Sequence, residues 1–309
     1  ISALGGSRVQ IGGPTGAFVV IVAGIVAKYG IDGLIIATFL AGLLMIAMGV
    51  AKLGGVIKFV PQPVVIGFTS GIALIIFSTQ IKDAFGLAIK TVPSDFFDKW
   101  QAYAAGIGTF SPAALGITIL TLVILTQWPR ISVKVPAPFV ALVVTTTVVH
   151  FTGLSVETIG SRFGVVSGAL PLPHLPHVTL QLVRDLAGPA ITIALLASIE
   201  SLLSAVVADG MIGGRHRSNM ELVAQGVANV ASSAFGGIPA TGAIARTATN
   251  IKSGGRTPIA GITHAIVLLL ITLFVGKLAA LIPMATLAGI LIIVAYHMSE
   301  WRNFRAQLR

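Results

Sequence analysis

Cysteine is absent from this chain of 309 residues, which excludes a disulfide framework, thiol catalysis and zinc-finger chemistry. Charge is scarce as well. Asp, Glu, Lys and Arg make up 10% of the residues, against about a quarter in soluble domains. With a mean hydropathy of +0.96 over the whole length, no room is left for a sizeable soluble domain. There is no Gly-x-x-x-x-Gly-Lys phosphate loop, so nothing points to ATP as an energy source. A nucleophile–base pair or metal-ligand cluster is also missing, which speaks against an enzyme and against a bound cofactor or metal. Short alternating strands, the mark of a membrane β-barrel, do not occur.

What the chain has is apolar blocks of about 20 residues, each long enough to cross a bilayer as a helix. They include 18–27 with its flanks, 34–50, 64–79, 115–126 and 262–275. Backbone groups in lipid must be satisfied within the segment, so these blocks are expected to be helices and the fold an all-α polytopic membrane protein. The reading gives about ten segments: 14–29, 32–51, 63–82, 112–128, 137–153, 187–208, 219–236, 241–252, 258–276 and 284–298. Residues 93–111, with Trp100 and Tyr103, read as an interfacial loop. Residues 154–185 are proline-rich and read as an external linker. The chain opens at Ile1 without a basic stretch or cleavage site, inside what reads as a helix connection, so a longer protein is expected.

The net charge of +10 does not mark a nucleic-acid binder, because the basic residues are scattered one or two per loop. Alternate connections carry Arg8, then Lys52 and Lys58, Arg130 and Lys134, Arg215 and Arg217, Lys252 and Arg256, and finally Arg302, Arg305 and Arg309. Only Asp209, Glu221 and Glu300 among the acids share that side. The positive-inside rule then puts Arg8 and Arg309 in the cytoplasm of a cell inner (plasma) membrane protein.

An internal repeat carries the most information. Thr15-Gly16-Ala17-Phe18 returns as Thr241-Gly242-Ala243-Ile244, each copy just after a proline, Pro14 or Pro239. In the same order, Lys52-Leu53 leads to Pro61 and Gly67, and Lys277-Leu278 leads to Pro283 and Gly289. Interrupted hydrophobic segments at matching places in two halves point to a transporter binding site. A helix beginning in mid-membrane at Thr15 or Thr241 exposes free N–H groups and the positive end of its dipole. Two such ends facing each other make an anion site without a lysine. Glycine there lets substrate approach the backbone, and threonine can cap or donate a hydroxyl. Close packing by small residues would give the same pattern. The superposition expected from the repeat relates 14–82 to 241–298 by a two-fold axis in the membrane plane.

Glu200 stands in 191–207, a span with no other charge, where an ionisable group marks function. Ser198, Ser201 and Ser204 surround it, Ser204 one turn along on the same face. That oxygen set suits proton exchange or Na⁺ coordination, or a structural hydrogen bond within the bundle. Arg246, the basic residue inside a segment, follows Thr241 by one turn and could serve the anion site or pair with Glu200. The His174-x-x-His177 pattern reads as a solvated loop. His150, His216, His264 and His297 read as interfacial, and Gly67-x-x-x-Gly71 as a packing motif.

Four stretches resemble the sulfate permease (SulP) family of anion transporters. They are Gln10-Ile-Gly-Gly-Pro-Thr-Gly-Ala, Gly67-Phe-Thr-Ser-Gly, Ser198-Ile-Glu-Ser-Leu-Leu with Ala208-Asp-Gly, and Gly242-Ala-Ile-Ala-Arg-Thr-Ala-Thr-Asn. The likeness is greatest to the bacterial branch with proton-coupled C4-dicarboxylate carriers. It implies a seven-plus-seven inverted-repeat fold, often dimeric, of which about ten of fourteen helices are present with two broken half-helices. The repeat halves would be 1–153 and 186–309. The first two and last two helices and a C-terminal STAS domain would lie outside. It further implies a substrate site of Thr15, Gly16, Ala17, Phe18, Thr241, Gly242, Ala243 and Arg246, with Glu200 and Ser204 for the coupling ion. Sodium-coupled bicarbonate members carry Asp at the position of Glu200 and Thr at that of Ile244, which weakens the sodium reading. The function expected is proton-coupled symport of sulfate or a C4-dicarboxylate. The alternatives are sodium–bicarbonate symport and a passive anion channel, which would have no need of Glu200.

Overall fold

In the computed structural model, residues 1–57, 62–93, 95–132, 135–164, 172–173 and 178–299 are described. Lys58, Pro61, Lys134, His174, His177, Glu300, Arg302, Arg305 and Arg309 lie outside them. A two-residue strand, β1 (Gly12–Gly13), leads through a 3₁₀ turn (Gly16–Phe18) into α1 (Val19–Val50) and the short α2 (Gly54–Ile57). The helices α3 (Gln62–Phe85), α4 (Phe96–Gly106), α5 (Pro112–Ile131), α6 (Ala137–Thr152) and α7 (Ile159–Phe163) follow. Next come α8 (Leu180–Ile212), α9 (Ser218–Ala234), β2 (Thr241–Gly242), α10 (Ile244–Lys252) and α11 (Pro258–Leu270). A π-helical turn (Ile271–Val275), α12 (Gly276–Ala279) and α13 (Met284–Met298) complete the described chain.

Among the described residues, four helical spans are long and apolar enough to cross a membrane: Ile21–Val50, Pro112–Ile131, Leu180–Ile212 and Pro258–Ala279. The first is two helices joined at Gly30, whose φ of 70° and ψ of −172° no helix allows; this is the division expected between 14–29 and 32–51. Left-handed glycines stop α6 at Gly153 and α8 at Gly213, as usual after a helix C-terminus. On α11 the side chains of Ile262, Ile266 and Val267 through Leu270 are all exposed, the mark of a lipid-facing helix.

Two of the expected loops are partly helical. Residues 96–106 form α4, started by Asp95, whose carboxylate accepts from the N–H groups of Phe97 and Asp98. A carboxylate there satisfies N–H donors that no earlier turn can reach. Buried Tyr103 in this helix has its phenol pushed up to about 12, by desolvation first and then by the negative charge of Asp83. Within 154–185, Thr158 and Ser161 cap α7 reciprocally, and Thr179 caps α8 through Leu182 N–H, so 180–185 are helix and not linker.

The chain divides into two compact units, Ile1–Pro61 with Leu170–Leu269, and Gln62–Ala169 with Leu270–Arg309. Each unit draws on both ends of the sequence. In the first, α1 packs on α8 and α9 around Phe18, Ile25, Ile36, Met45, Leu186 and Ile193. α1 and α9 approach at glycines: a Cβ on Gly226 would lie 2.5 Å from the carbonyl oxygen of Gly42. In the second unit α13 packs on α3 and α5, with Ala285 against Ala114 and Ile117. Gly67 and Gly71 are not a packing motif among the described residues, since nothing lies within 4 Å of a Cβ built at either. They line an apolar cavity of about 620 Å³ with Leu74, Phe77, Ala295 and Tyr296.

Candidate functional site

Every residue singled out for the site falls in the first unit. Its frame is the pairing of β1 with β2, antiparallel, Gly12 opposite Gly242 and Gly13 opposite Thr241. The Ala243 N–H extends the pairing by donating to Ile11 O at 2.8 Å. This puts the lead-ins of both half-helices side by side. The helix starts differ from those expected. Thr241 is in the strand, and α10 begins at Ile244, because backbone committed to a β ladder is extended and cannot open a helix. Thr15 occupies the N-cap position of the 3₁₀ turn but makes no cap. Its hydroxyl donates instead to Glu200 Oε2 at 2.9 Å. The Thr241 hydroxyl donates to Ala197 O at 2.8 Å. Both threonines therefore fasten their half-helix to one turn of α8, since residues three apart share a helix face.

Arg246 lies in the first turn of α10 and donates through Nη2 to Pro14 O, the carbonyl just before the first half-helix. Its guanidinium covers Gly13, where a Cβ would meet Nη1 at 2.9 Å. Of the two roles open to Arg246, the ion pair with Glu200 is not formed among the described residues. The guanidinium is engaged instead by the Pro14 carbonyl, one residue beyond β1. Ser204 is also turned elsewhere: its hydroxyl donates to Thr247 Oγ1 at 3.2 Å, and Thr247 Oγ1 accepts from Ile11 N–H at 3.0 Å. Phe18 packs in the apolar core, and Ala17 and Ala243 are buried. Gly242 is closely approached: a Cβ there would lie 1.6 Å from Gln10 Nε2 and 3.1 Å from Ser201 Cα.

The arrangement has two helix starts whose first N–H groups lack helical acceptors, a guanidinium between them, and a carboxylate that, among the described residues, is held by one hydroxyl. It can attract an anion and carry a proton or cation beside it. His264 sits inside α11 and not at its end; among the described residues its Nε2 has no partner. His216 is at a connection, as expected, with Nδ1 2.7 Å from Asp209. Sequence reasoning missed Gln10 and Thr247 as site residues, and it only counted Glu221, near the start of the segment 219–236, among the acids of the basic side. In the structure Glu221 lies in α9 with no exposed surface. The available signal was the repeat of polar residues at every fourth position, Glu221, Gln225 and Asn229, among mostly apolar neighbours.

A chain of membrane-length helices, broken at two matching places and paired there, defines a polytopic membrane protein with an inverted-repeat transporter fold. The transmembrane domain of a cyanobacterial bicarbonate transporter, BicA, shares that fold: TM-score 0.87 at 32% identity, over 96% of this chain and 77% of that one. The model of the sulfate permease family matches residues 1–309, and the chain belongs to that family. A Bacillus subtilis relative named "Putative sulfate transporter YvdB" is 46% identical, over 100% of this chain and 58% of its own length. The bicarbonate transporter BicA of Synechocystis is 34% identical, over 96% of this chain and 53% of its own. The chain spans about half the length of the curated relatives it matches.

Proposed function

We propose that this chain is the transmembrane core of a secondary active anion transporter, which carries sulfate or a C4-dicarboxylate together with a proton. The anion binds at the half-helix starts near Thr15 to Phe18 and Thr241 to Ala243, under Arg246. The carrying observation is the 2.9 Å hydrogen bond from Thr15 at the first half-helix to Glu200. An ionisable group bonded to the first half-helix start supports coupling at that end. An anion there repels the carboxylate, so anion and proton favour each other's binding, and that reciprocity is what symport requires. Ser204, one turn from Glu200, ties α8 to the second half-helix through Thr247. The halves 1–153 and 186–309 are the two inverted repeats. The protein works as a homodimer in the inner membrane, with Arg8 cytoplasmic. Consistent with one shared side, Arg217 N–H donates to Gly6 O and Gly54 N–H to Asn219 Oδ1, which gathers Arg8, Lys52, Arg215 and Arg217 at one end of the first unit.

The test is uptake of labelled sulfate, succinate and bicarbonate by the full-length protein in vesicles, under an inward proton or an inward sodium gradient. Acid-driven accumulation should disappear in Glu200→Gln while anion exchange persists. Accumulation that survives this substitution removes Glu200 from the mechanism. Sodium–bicarbonate symport is the second reading, favoured by the likeness to the bicarbonate transporters. Sodium-driven uptake indifferent to pH would establish it in place of the first.

A further inference from the structure

The helix α9 carries Glu221, Gln225 and Asn229 at every fourth position, and all three are fully buried. Residues spaced by four lie above one another on a helix, so α9 turns a polar stripe inward from within a membrane protein. Such groups are expensive in lipid surroundings unless they hold partners. Their partners form a pattern. At one end, Glu221 Oε2 accepts from Gly6 N–H at 2.8 Å and Ser7 N–H at 3.1 Å, in the segment that runs into β1. Its other oxygen accepts from Ser201 Oγ at 3.1 Å and Gln225 Nε2 at 3.1 Å. In the middle, Gln225 Nε2 also donates to Ser201 Oγ at 2.9 Å, on the residue next to Glu200. Gln10 Nε2 donates to the same hydroxyl at 3.1 Å and is the group that fills the space above Gly242. At the far end, Asn229 holds both backbone groups of Ala240, the residue before β2. It accepts from Ala240 N–H and donates to Ala240 O, each at 2.8 Å.

One helix thus holds the lead-in to the first half-helix, the carboxylate's neighbour and the lead-in to the second half-helix. We infer that the Glu221–Gln225–Asn229 ladder is the alignment device of the site, fixing the separation and register of the two half-helix starts relative to Glu200. These are positioning residues, since none is placed against the anion. All four acceptor directions of the Glu221 carboxylate are filled by donors, so it serves as a fixed anchor, whereas Glu200 has the one donor, Thr15, among the described residues. A helix can act as such a ruler only if it is itself immobile, and the Gly42–Gly226 contact presses α9 onto α1.

The inference rests on the reading that the half-helix starts bind the anion, and its test separates the two. Asn229→Ala frees both Ala240 groups. Glu221→Gln sets an amide N–H against either two backbone N–H donors or the Ser201 and Gln225 donors. Misplacement of binding groups by about an ångström costs up to a hundredfold. Each variant should therefore raise KM for sulfate exchange by the full-length protein roughly tenfold or more. A merely structural residue would lower Vmax in step with the folded fraction and leave KM alone. Ser233→Ala is the control. Its hydroxyl is buried on the same helix but, among the described residues, bonds to Val230 O of its own turn alone, and KM should not move. If Asn229→Ala does not fold, Asn229→Asp keeps the acceptor for Ala240 N–H and loses only the donor. A second readout uses spin labels at exposed positions 19 and 245, in protein stripped of cysteines elsewhere. Their separation should broaden in both variants. Unchanged KM with unchanged label separation overturns the alignment role. Wild-type protein that exchanges neither sulfate, succinate nor bicarbonate overturns the anion reading instead, and the spin-label comparison still decides alignment.

Discussion

Gly226→Ala is a severe perturbation for a single methyl group. The added Cβ would stand 2.5 Å from Gly42 O and 2.7 Å from both the backbone nitrogen and Cγ1 of Ile46. Two of these three atoms are backbone of α1, so no side-chain rotation relieves the clash. The helices must move apart by about half an ångström or more to bring the shortest contact above 3.0 Å, below which real Cβ atoms are not found. Overpacking of this kind costs typically 1–3 kcal/mol. At roughly 2–4 °C per kcal/mol, the value for large domains, the melting temperature in detergent should fall by about 2–12 °C. Gly116→Ala provides the opposite case. Gly116 lies in α5 and has no atom within 4 Å of its built Cβ. Removing the backbone freedom of glycine from a helix stabilises it by roughly 0.5–1 kcal/mol, so this variant should melt at the wild-type temperature or slightly above. Scanning fluorimetry of the three proteins in one detergent compares them directly. If Gly226→Ala melts with the wild type, the α1–α9 contact is not close, and the ruler argued for α9 has lost its support.

Arg246→Ala should weaken sulfate binding roughly tenfold, as expected for loss of a charged hydrogen-bond donor, measured by titration of folded protein. Unchanged affinity would remove Arg246 from the site. In the second unit, Arg162 forms ion pairs with Asp83 and Glu157. Its hydrogen bond holds the Glu157 carboxyl below the ordinary 4.5. A depressed carboxyl stabilises the fold above its ordinary value and ceases to do so as pH falls through the lower folded value. Glu157→Gln should therefore lower the melting temperature at pH 7 and match the wild type in strong acid. Since Glu157 is 46% exposed, solvent screening limits the effect to a few tenths of a kcal/mol. A melting difference that grows on acidification would contradict the sign.

Much of this was legible in the sequence because lipid permits few solutions. Apolar blocks of spanning length fixed the helices, and the isolated charges Glu200 and Arg246 stood out against them. The repeated Thr-Gly-Ala marked two places that the fold does bring together. What escaped has physical reasons. A strand of two residues such as Thr241–Gly242 has no periodicity, and its extended form comes from a partner far away in sequence. Of the two roles open to Thr15 and Thr241, capping or donating a hydroxyl, the sequence could not choose, because capping is a local rule whereas their acceptors are on α8. Glu221 drew no notice beyond its place on the basic side, close after Arg215 and Arg217. Its burial is set by Gly6 and Ser7, which only the folded chain places beside it. By contrast α4 was there to be read: Asp95 ahead of an amphipathic stretch is an ordinary helix start.

The β1–β2 pairing also has a consequence for how such a protein is made. Pro14 and Arg246, which meet across it, are 232 positions apart. At about 5–20 residues per second, a ribosome takes on the order of 10–50 s to supply the second partner after the first has emerged. During that interval α1 is already apolar enough to enter the bilayer, while the unpaired edge of β1 and the Thr15 hydroxyl must go without their final partners. The nascent first half therefore has to wait near the aqueous boundary or in the company of an insertion factor. Loss of the later half would leave behind a segment with no satisfactory place in lipid, and quality-control proteases would meet it there.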